Sequence, residues 1–302
     1  MLTVVLLSLL AVVNGNVVHR RQLAPAAPVS SSVPANLTGG EDTEYYLGFR
    51  EADFEKPYVK YYNPVVAPLT DDLVNGLTSS PWPSAFTFSA QDAPKYLEQP
   101  GYLNMENGWA ISDNGTLMIA VRSEIPNVTG EQYDWWFGWH SVETARYKLW
   151  NPVAHQYSWR TPDVVDWANL TYAERYIGST SYVDECVGND AAKLSISFIE
   201  PSSLGFDTTA WPELGIETIV VAQLYIGDHS VQEFDNVSYL MHQVRRMPNG
   251  CRELRSRFFV ASDNHGTAQL GHDLAVHCNT EMTQFWPLNS NSSIDRHGSD
   301  LE

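Results

Sequence analysis

Two glutamates that fall on apolar faces constrain what this 302-residue chain can fold into. Over 267–285 apolar residues recur with the period of a helix, and Leu270, Leu274, Cys278 and Phe285 share one stripe. His277 and Glu281, four residues apart, project from that same stripe. Over 181–188 the strand period of two puts Val183, Glu185 and Val187 on one face and Asp184 and Cys186 on the other. A carboxylate among apolar neighbours is costly unless it is paired or ligates a metal, and neither glutamate has an evident Lys or Arg partner. Two such carboxylates call for a cation. The competing reading of the helix is a His–Glu pair hydrogen-bonded inside a core. The same spacing recurs at His229 and Glu233, in a segment that reads as a loop.

A further ligand is expected from one of two aromatic stretches. One ends at His140, after Trp135, Trp136, Phe137 and Trp139; the other runs from Arg146 through Tyr147 and Trp150 to His155. The residues alone do not choose between His140 and His155. Either also reads as an ordinary histidine at a core edge, which is the commoner case.

The rest of the chain places this constellation on a mostly β framework. A short strand is expected over 117–122, after the Asp113-Asn114-Gly115 turn. Over 193–200 Leu194, Ile196 and Phe198 alternate with Lys193, Ser195 and Ser197, and 217–226 reads as a more fully buried strand. A hairpin is expected over 237–260 around Pro248-Asn249-Gly250, since Asn-Gly is a strong two-residue turn signal. Meandering strands closed by a long C-terminal helix predict an α+β sheet curled around that helix, with a cavity between them. Residues 43–100, dense in aromatics and prolines with little periodicity, read as an irregular N-terminal lobe. The catalytic domain is expected over 101–288 and a tail over 289–302.

The N-terminus carries its own expectations. The uncharged apolar run over 2–13 reads as a signal-peptide core, assigning 1–15 to a signal peptide. The Ala-, Pro- and Ser-rich stretch over 16–42 contains the dibasic pair Arg20-Arg21 and reads as a flexible arm or pro-segment. Sequons at Asn36, Asn114, Asn127, Asn169, Asn236 and Asn291 fit a secreted, extracellular glycoprotein. A net charge of −18 makes nucleic acid and anionic membranes poor partners. Three cysteines, Cys186, Cys251 and Cys278, permit at most one internal disulfide. The sequence leaves the oligomeric state open, a homo-oligomer included.

The chain resembles the 2,4-diacetylphloroglucinol hydrolase and phloretin hydrolase family. The resemblance is carried by Pro100-Gly101-Tyr102, Glu106-Asn107-Gly108, the run from Asp134 to His140, and Arg146-Tyr147-Lys148-Leu149-Trp150 through to His155. It continues with Glu185 to Gly188, Arg255-Ser256-Arg257-Phe258, and His277-Cys278 with Glu281-Met282. It implies the helix-grip fold of pollen allergens and zinc-dependent hydrolysis of the bond between an aryl carbon and an acyl carbonyl. By position it implies Zn2+ ligation by His155, Glu185, His277 and Glu281, so it prefers His155 to His140. Tyr147, where the family carries a tyrosine, and His242, on the Leu240 and Val244 face of its strand, are the candidate catalytic residues. If Asn249-Gly250 makes a two-residue turn, His242 lies opposite Arg257. The chain departs from the family in its secretory N-terminus and in a shorter connection between Phe259 and the last helix. The expected partner is a small aromatic ketone; a metal-dependent oxygenase and a non-catalytic binding protein for an aromatic ligand are the alternatives.

The compartment reading predicts a shift to lower mass on enzymatic deglycosylation of protein from a eukaryotic secretory host. An unshifted band refutes it.

Overall fold

The computed structural model describes residues 45–160, 169–226, 237–262 and 266–290, with side chains described to 284 in the last segment. The expected signal core, the dibasic pair, the arm, His229, Glu233, the last twelve residues and the sequons at Asn36, Asn236 and Asn291 lie outside the described residues. Asn114, Asn127 and Asn169 are exposed, the condition a glycosylation acceptor must meet. No helix among the described residues is long and apolar enough to cross a membrane.

Eight strands form one antiparallel sheet: β1 (Gly108–Ile111), β2 (Leu117–Glu124), β3 (His155–Arg160), β4 (Thr180–Val187), β5 (Asp190–Ile199), β6 (Ile216–Ile226), β7 (Ser238–Arg246) and β8 (Arg252–Val260). Their order is β1-β2-β8-β7-β6-β5-β4-β3. The α-helices are α1 (Asp71–Thr78), α2 (Ala93–Leu97), α3 (Gly130–His140), α4 (Thr144–Lys148), α5 (Trp211–Leu214) and α6 (Ala268–Ser290).

The long helix explains the shape of the sheet. α6 packs against β1 and β2 near one edge and against β4 near the other. One helix reaches both only if the sheet bends around it, so the sheet is concave towards α6. This is the expected helix-grip α+β fold. Close approach at the β1 end requires Gly271, where an added Cβ would lie 2.8 Å from the Trp109 ring.

Both faces of the sheet are buried. On the concave side Val121, Val220, Leu254 and Val260 join a core with α3 and α6. On the convex side Met118, Val221, Met241 and Phe259 are covered by Phe88, Leu97 and Met105, with Phe206. The tryptophan-rich stretch that the periodicity left unassigned is α3. Its start is fixed by a capping box: Gln132 N donates to Thr129 Oγ1 at 3.2 Å, and Thr129 N donates to Gln132 Oε1 at 2.9 Å. Such a cap contributes about 1 kcal/mol.

The β7–β8 hairpin corrects one expectation. His242 pairs with Ser256, not Arg257, and Arg257 pairs with Met241. The turn holds three residues, because Pro248 fixes its own φ and the bend closes through Gly250 N donating to Met247 O at 2.9 Å. Gly250 takes φ +86°, the left-handed conformation that ends such a loop. One residue of register moves every following side chain of β8 to the other face. Ser256 therefore shares the concave face with His242, and Arg257 goes to the convex face.

There Arg257 and Arg255, both fully buried, share one carboxylate. Arg255 donates to Glu106 Oε1 at 2.6 Å and Oε2 at 3.1 Å and to Gln243 Oε1 at 3.0 Å, and Arg257 also donates to Glu106 Oε2. Burial alone would raise the pKa of Glu106, but the charge of Arg257 and the hydrogen bonds of Arg255 hold it down to about 2. With the folded value below the ordinary 4.5, the carboxylate stabilises the fold above pH 4.5, and that contribution is lost as pH falls towards 2. Glu106→Gln, which leaves two buried guanidinium groups short of a charge partner, is expected to cost about 3–5 kcal/mol in denaturant unfolding at neutral pH. A loss below about 1 kcal/mol would show that the network is dispensable.

A candidate metal centre and its cavity

His155, the first residue of β3, pairs directly with Glu185 on β4, while α6 brings His277 and Glu281 down from above. The structure brings these four side chains together. One ligand atom from each lies within 4.8 Å of all the others, and all four residues are buried. His155 Nε2 is 2.6 Å from Glu281 Oε1 and 3.8 Å from Glu185 Oε2. His277 Nε2 is 3.0 Å from the same Glu281 oxygen and 3.7 Å from Glu185 Oε2. No Lys or Arg forms an ion pair with either glutamate among the described residues.

The decisive detail lies on the other side of each ring. His155 Nδ1 is 2.9 Å from the Tyr147 carbonyl, and His277 Nδ1 is 3.0 Å from the Cys186 carbonyl. A carbonyl only accepts, so each Nδ1 carries a proton and each neutral ring turns the lone pair of Nε2 towards the carboxylates. Two imidazole lone pairs facing two carboxylates are mutually repulsive unless protons or a cation lie between them. Nδ1–H donation to a backbone carbonyl is also how metal-ligating histidines are held. The donor set of two nitrogens and two carboxylates fits a divalent cation of borderline character.

Without a metal the site must hold protons instead. Burial would lower the pKa of His277, but the charges of Glu281 and Glu185 raise it to about 9. Burial would likewise raise Glu281, yet the His277 charge and the hydrogen bonds of both histidines hold it far below the usual carboxylate range.

Tyr147, on α4, donates its hydroxyl to Glu185 Oε2, and its ring stacks on His155 with centroids 3.5 Å apart. Burial and the Glu185 charge push its pKa well up, so it stays protonated. His242 stands apart from the four, on the cavity wall, with Nδ1 2.8 Å from Ser256 Oγ. Burial lowers its pKa to about 4. His140, at the end of α3, is not part of the cluster either. Its Nδ1 donates to the Trp136 carbonyl at 2.7 Å and its ring stacks on Trp136. Cys186 and Cys278 adjoin the cluster in sequence without joining it, and the three cysteines are unbridged.

The centre opens on a cavity of about 650 Å³ between α6 and β4–β8, where Glu185, His277 and Glu281 reach the wall. Val183, Leu194, Ile196, Phe198, Leu240 and Phe258 make most of that wall apolar. Sequence reasoning did not find the Tyr147–Glu185 hydrogen bond, or the part that the α3 helix plays in walling the cavity with Phe137 and His140. The Thr129-x-x-Gln132 capping box was the available signal for that helix.

The DAPG hydrolase PhiG domain model matches residues 88–288. The chain is 31% identical over 225 residues to the 2,4-diacetylphloroglucinol hydrolase of Pseudomonas protegens, covering 72% of this chain and 70% of that protein. It is 31% identical over 189 residues to the phloretin hydrolase of Eubacterium ramulus, covering 61% of this chain and 67% of that one. Among solved structures it is similar to a norcoclaurine synthase of Thalictrum, with a TM-score of 0.32 and 11% identity over 59% of this chain and 97% of that one.

A metal entering this site must displace the proton on His277, whose metal-free pKa is about 9. Apparent affinity for Zn2+ is expected to rise about tenfold per pH unit between pH 6 and 8 and to level off above about 9. Calorimetry in buffers of different ionisation enthalpy should report about one proton released per ion at pH 7. Binding without proton release at that pH overturns the assignment.

Proposed function

Because the chain belongs to the DAPG hydrolase family, we propose that it is a zinc-dependent hydrolase of acylated polyphenols, cleaving the carbon–carbon bond between an aromatic ring and an acyl carbonyl. The observation that carries the metal part of this reading is the pair of Nδ1–carbonyl contacts, which aim two Nε2 lone pairs at two buried carboxylates beside an apolar cavity. The reaction part rests on what the relatives are named for hydrolysing. The apolar wall suits an aromatic ring, and the polar centre sits where a carbonyl on that ring would be polarised.

In the reaction the aryl–acyl bond breaks, the acyl carbon takes the oxygen of water, and the ring carbon takes a proton. The products are a carboxylic acid and the deacylated phenol. When bound, zinc supplies Lewis-acid polarisation of the carbonyl and lowers the pKa of water. A polyhydroxylated ring helps, because its keto tautomer turns the departing carbanion into an enolate.

The chain's own groups supply orientation and proton handling. Glu185 is held by the Tyr147 hydroxyl, and the Tyr147 ring packs flat against His155, which fixes two donor groups at once. Tyr147 also reaches the cavity wall, where a protonated phenol meets the substrate as a hydrogen-bond donor. His242 is neutral at pH 7 and has Nδ1 tied to Ser256, which leaves Nε2 to exchange a proton with a ring hydroxyl. We also propose that the protein works outside the cell, as its signal-like N-terminus and sequons suggest.

The assay is release of a carboxylic acid from acylphloroglucinols and related aryl ketones, with and without a chelator. Glu281→Ala and His277→Ala are expected to lose both zinc and turnover. Tyr147→Phe is expected to keep zinc and lose at least about 100-fold in kcat. If a zinc-loaded preparation releases no acid from a broad panel of such ketones, the reaction is misassigned. Equal activity after metal removal would leave the cavity standing and refute the mechanism.

A further inference from the structure

One wall of the cavity carries a buried polar group that lacks a hydrogen-bond partner among the described residues. Ser181 on β4 shares the concave face with Val183, Glu185 and Val187, lines the cavity and is only 2% exposed. Its Oγ has no hydrogen-bond partner among the described residues. A buried hydroxyl without a partner carries a desolvation cost that folding does not recover, so a hydrogen-bonding group brought to this wall by a ligand would relieve it. The Trp150 Nε1–H, on the same wall, is in the same condition.

An acceptor stands close by. The C-terminal turn of α3 packs beside this part of β4: Arg160, paired with Ser181 across the strands, donates to the Gly138 carbonyl, and Ser158, paired with Val183, donates to the Ser141 carbonyl. His140 sits between those two contact points and lines the cavity. Its Nδ1 is spent on Trp136, so Nε2 presents a lone pair. The Trp150 ring stands edge-on to His140, with centroids 5.0 Å apart.

We propose that Ser181, His140 and Trp150 form an inner subsite that reads a hydroxyl of the substrate ring on the side opposite the acyl carbon. This rests on the reading of the cavity as the site of an aryl ketone hydrolase and specifies which part of that substrate is recognised. A phenol suits the set: its O–H donates to the His140 lone pair while its oxygen accepts from the Ser181 hydroxyl or the Trp150 indole. Four residues of strand separate Ser181 from Glu185, about 13 Å. That span suits one aromatic ring with its acyl carbon and a polar contact at each end. Val183 lies between, so the ring edge crosses apolar surface and only its two ends meet polar groups. The acyl substituent then points towards the opposite end of the cavity, lined by Gln269 and Asp273.

The test compares two ligands that differ only in that hydroxyl, 2,4,6-trihydroxyacetophenone and 2,6-dihydroxyacetophenone. Binding to the zinc-loaded protein and its Ser181→Ala variant is followed by tryptophan fluorescence, with acid release measured in parallel. The wild type should prefer the trihydroxy ligand, and Ser181→Ala should shrink that preference about tenfold, mostly by weakening the trihydroxy ligand. Taking the ratio between proteins cancels differences in ligand solvation. Zinc content should not change, and the ligand-free melting temperature should hold or rise, because the variant removes an unpartnered hydroxyl.

An unchanged preference in Ser181→Ala overturns the subsite. So does an equal loss for both ligands, which would mark Ser181 as structural. A shrunken preference with no acid from either ketone leaves the subsite standing and removes the hydrolase reading. Acid release with an unchanged preference does the reverse.

Discussion

Two hydrogen bonds from imidazole to backbone, His155 to the Tyr147 carbonyl and His277 to the Cys186 carbonyl, are the contacts on which the rest of this structure depends. Each decides which nitrogen keeps a proton, and therefore that both rings turn lone pairs inward. Meeting them fixes much of the fold. His277 reaches the Cys186 carbonyl only if α6 lies directly over β4, while the Gly271 contact holds the same helix against β1. The bend of the eight-stranded sheet follows from satisfying both ends. His155 reaches the Tyr147 carbonyl only if the chain doubles back between α4 and β3, which also brings the Tyr147 hydroxyl to Glu185. Backbone geometry and site geometry are one requirement here.

Charge inside the molecule is divided by the sheet. The concave side holds the glutamate pair with its histidines, where buried Arg160 is turned away onto the Gly138 carbonyl of α3, and the convex side holds Arg255 and Arg257 with Glu106 and Arg245 with Glu253. The two sets meet on one strand: β8 turns Ser256 and Phe258 to the concave face and Arg255 and Arg257 to the back. Along a strand only the alternation of faces keeps guanidinium groups out of an apolar binding cavity. The three-residue turn at Pro248–Gly250 therefore matters beyond the hairpin. With a two-residue turn Arg257 would face the cavity beside His242, adding a buried charge to an apolar wall.

How much of this was legible in the sequence follows from the same physics. Period-two and period-3.6 patterns exposed Glu185, His277 and Glu281, because a carboxylate on an apolar face breaks the pattern around it. They could not choose between His140 and His155, since both follow runs of aromatics and only the resemblance separated them. The structure shows the difference: His155 opens β3 opposite Glu185, while His140 spends its Nδ1 on its own helix. The hairpin register was missed because Asn-Gly was read as the whole turn, although Pro248 ahead of it supplies the fixed φ that lengthens the loop. The α3 helix was missed because its burial is nearly all-round, which erases the stripe that amphipathic reasoning looks for, and the capping box was left as its main local mark. The orphaned Ser181 hydroxyl is beyond any sequence pattern, since lacking a partner is a property of the packed molecule.

Neutrality explains how a centre with two buried carboxylates sits beside an apolar cavity. Isolated buried charges of this kind cost several kcal/mol each, and mutual repulsion adds to that. Two glutamates with two neutral imidazoles carry two negative charges, which one divalent ion cancels. In its absence a proton on His277, whose pKa is raised to about 9, cancels one of them. Tyr147 stays protonated beside Glu185 and adds no charge, and His242 is kept neutral by burial. A divalent ion therefore leaves the centre without net charge, where the His277 proton cancels only one of the two charges, so metal and proton compete for one site within an already assembled frame. A neutral ring entering such a cavity gives up little solvation on its apolar face. Recognition then falls to the few polar atoms that the wall leaves unpaired, Ser181 Oγ and Trp150 Nε1 among them. An ionised ligand would bring back the charge imbalance that the centre is built to remove.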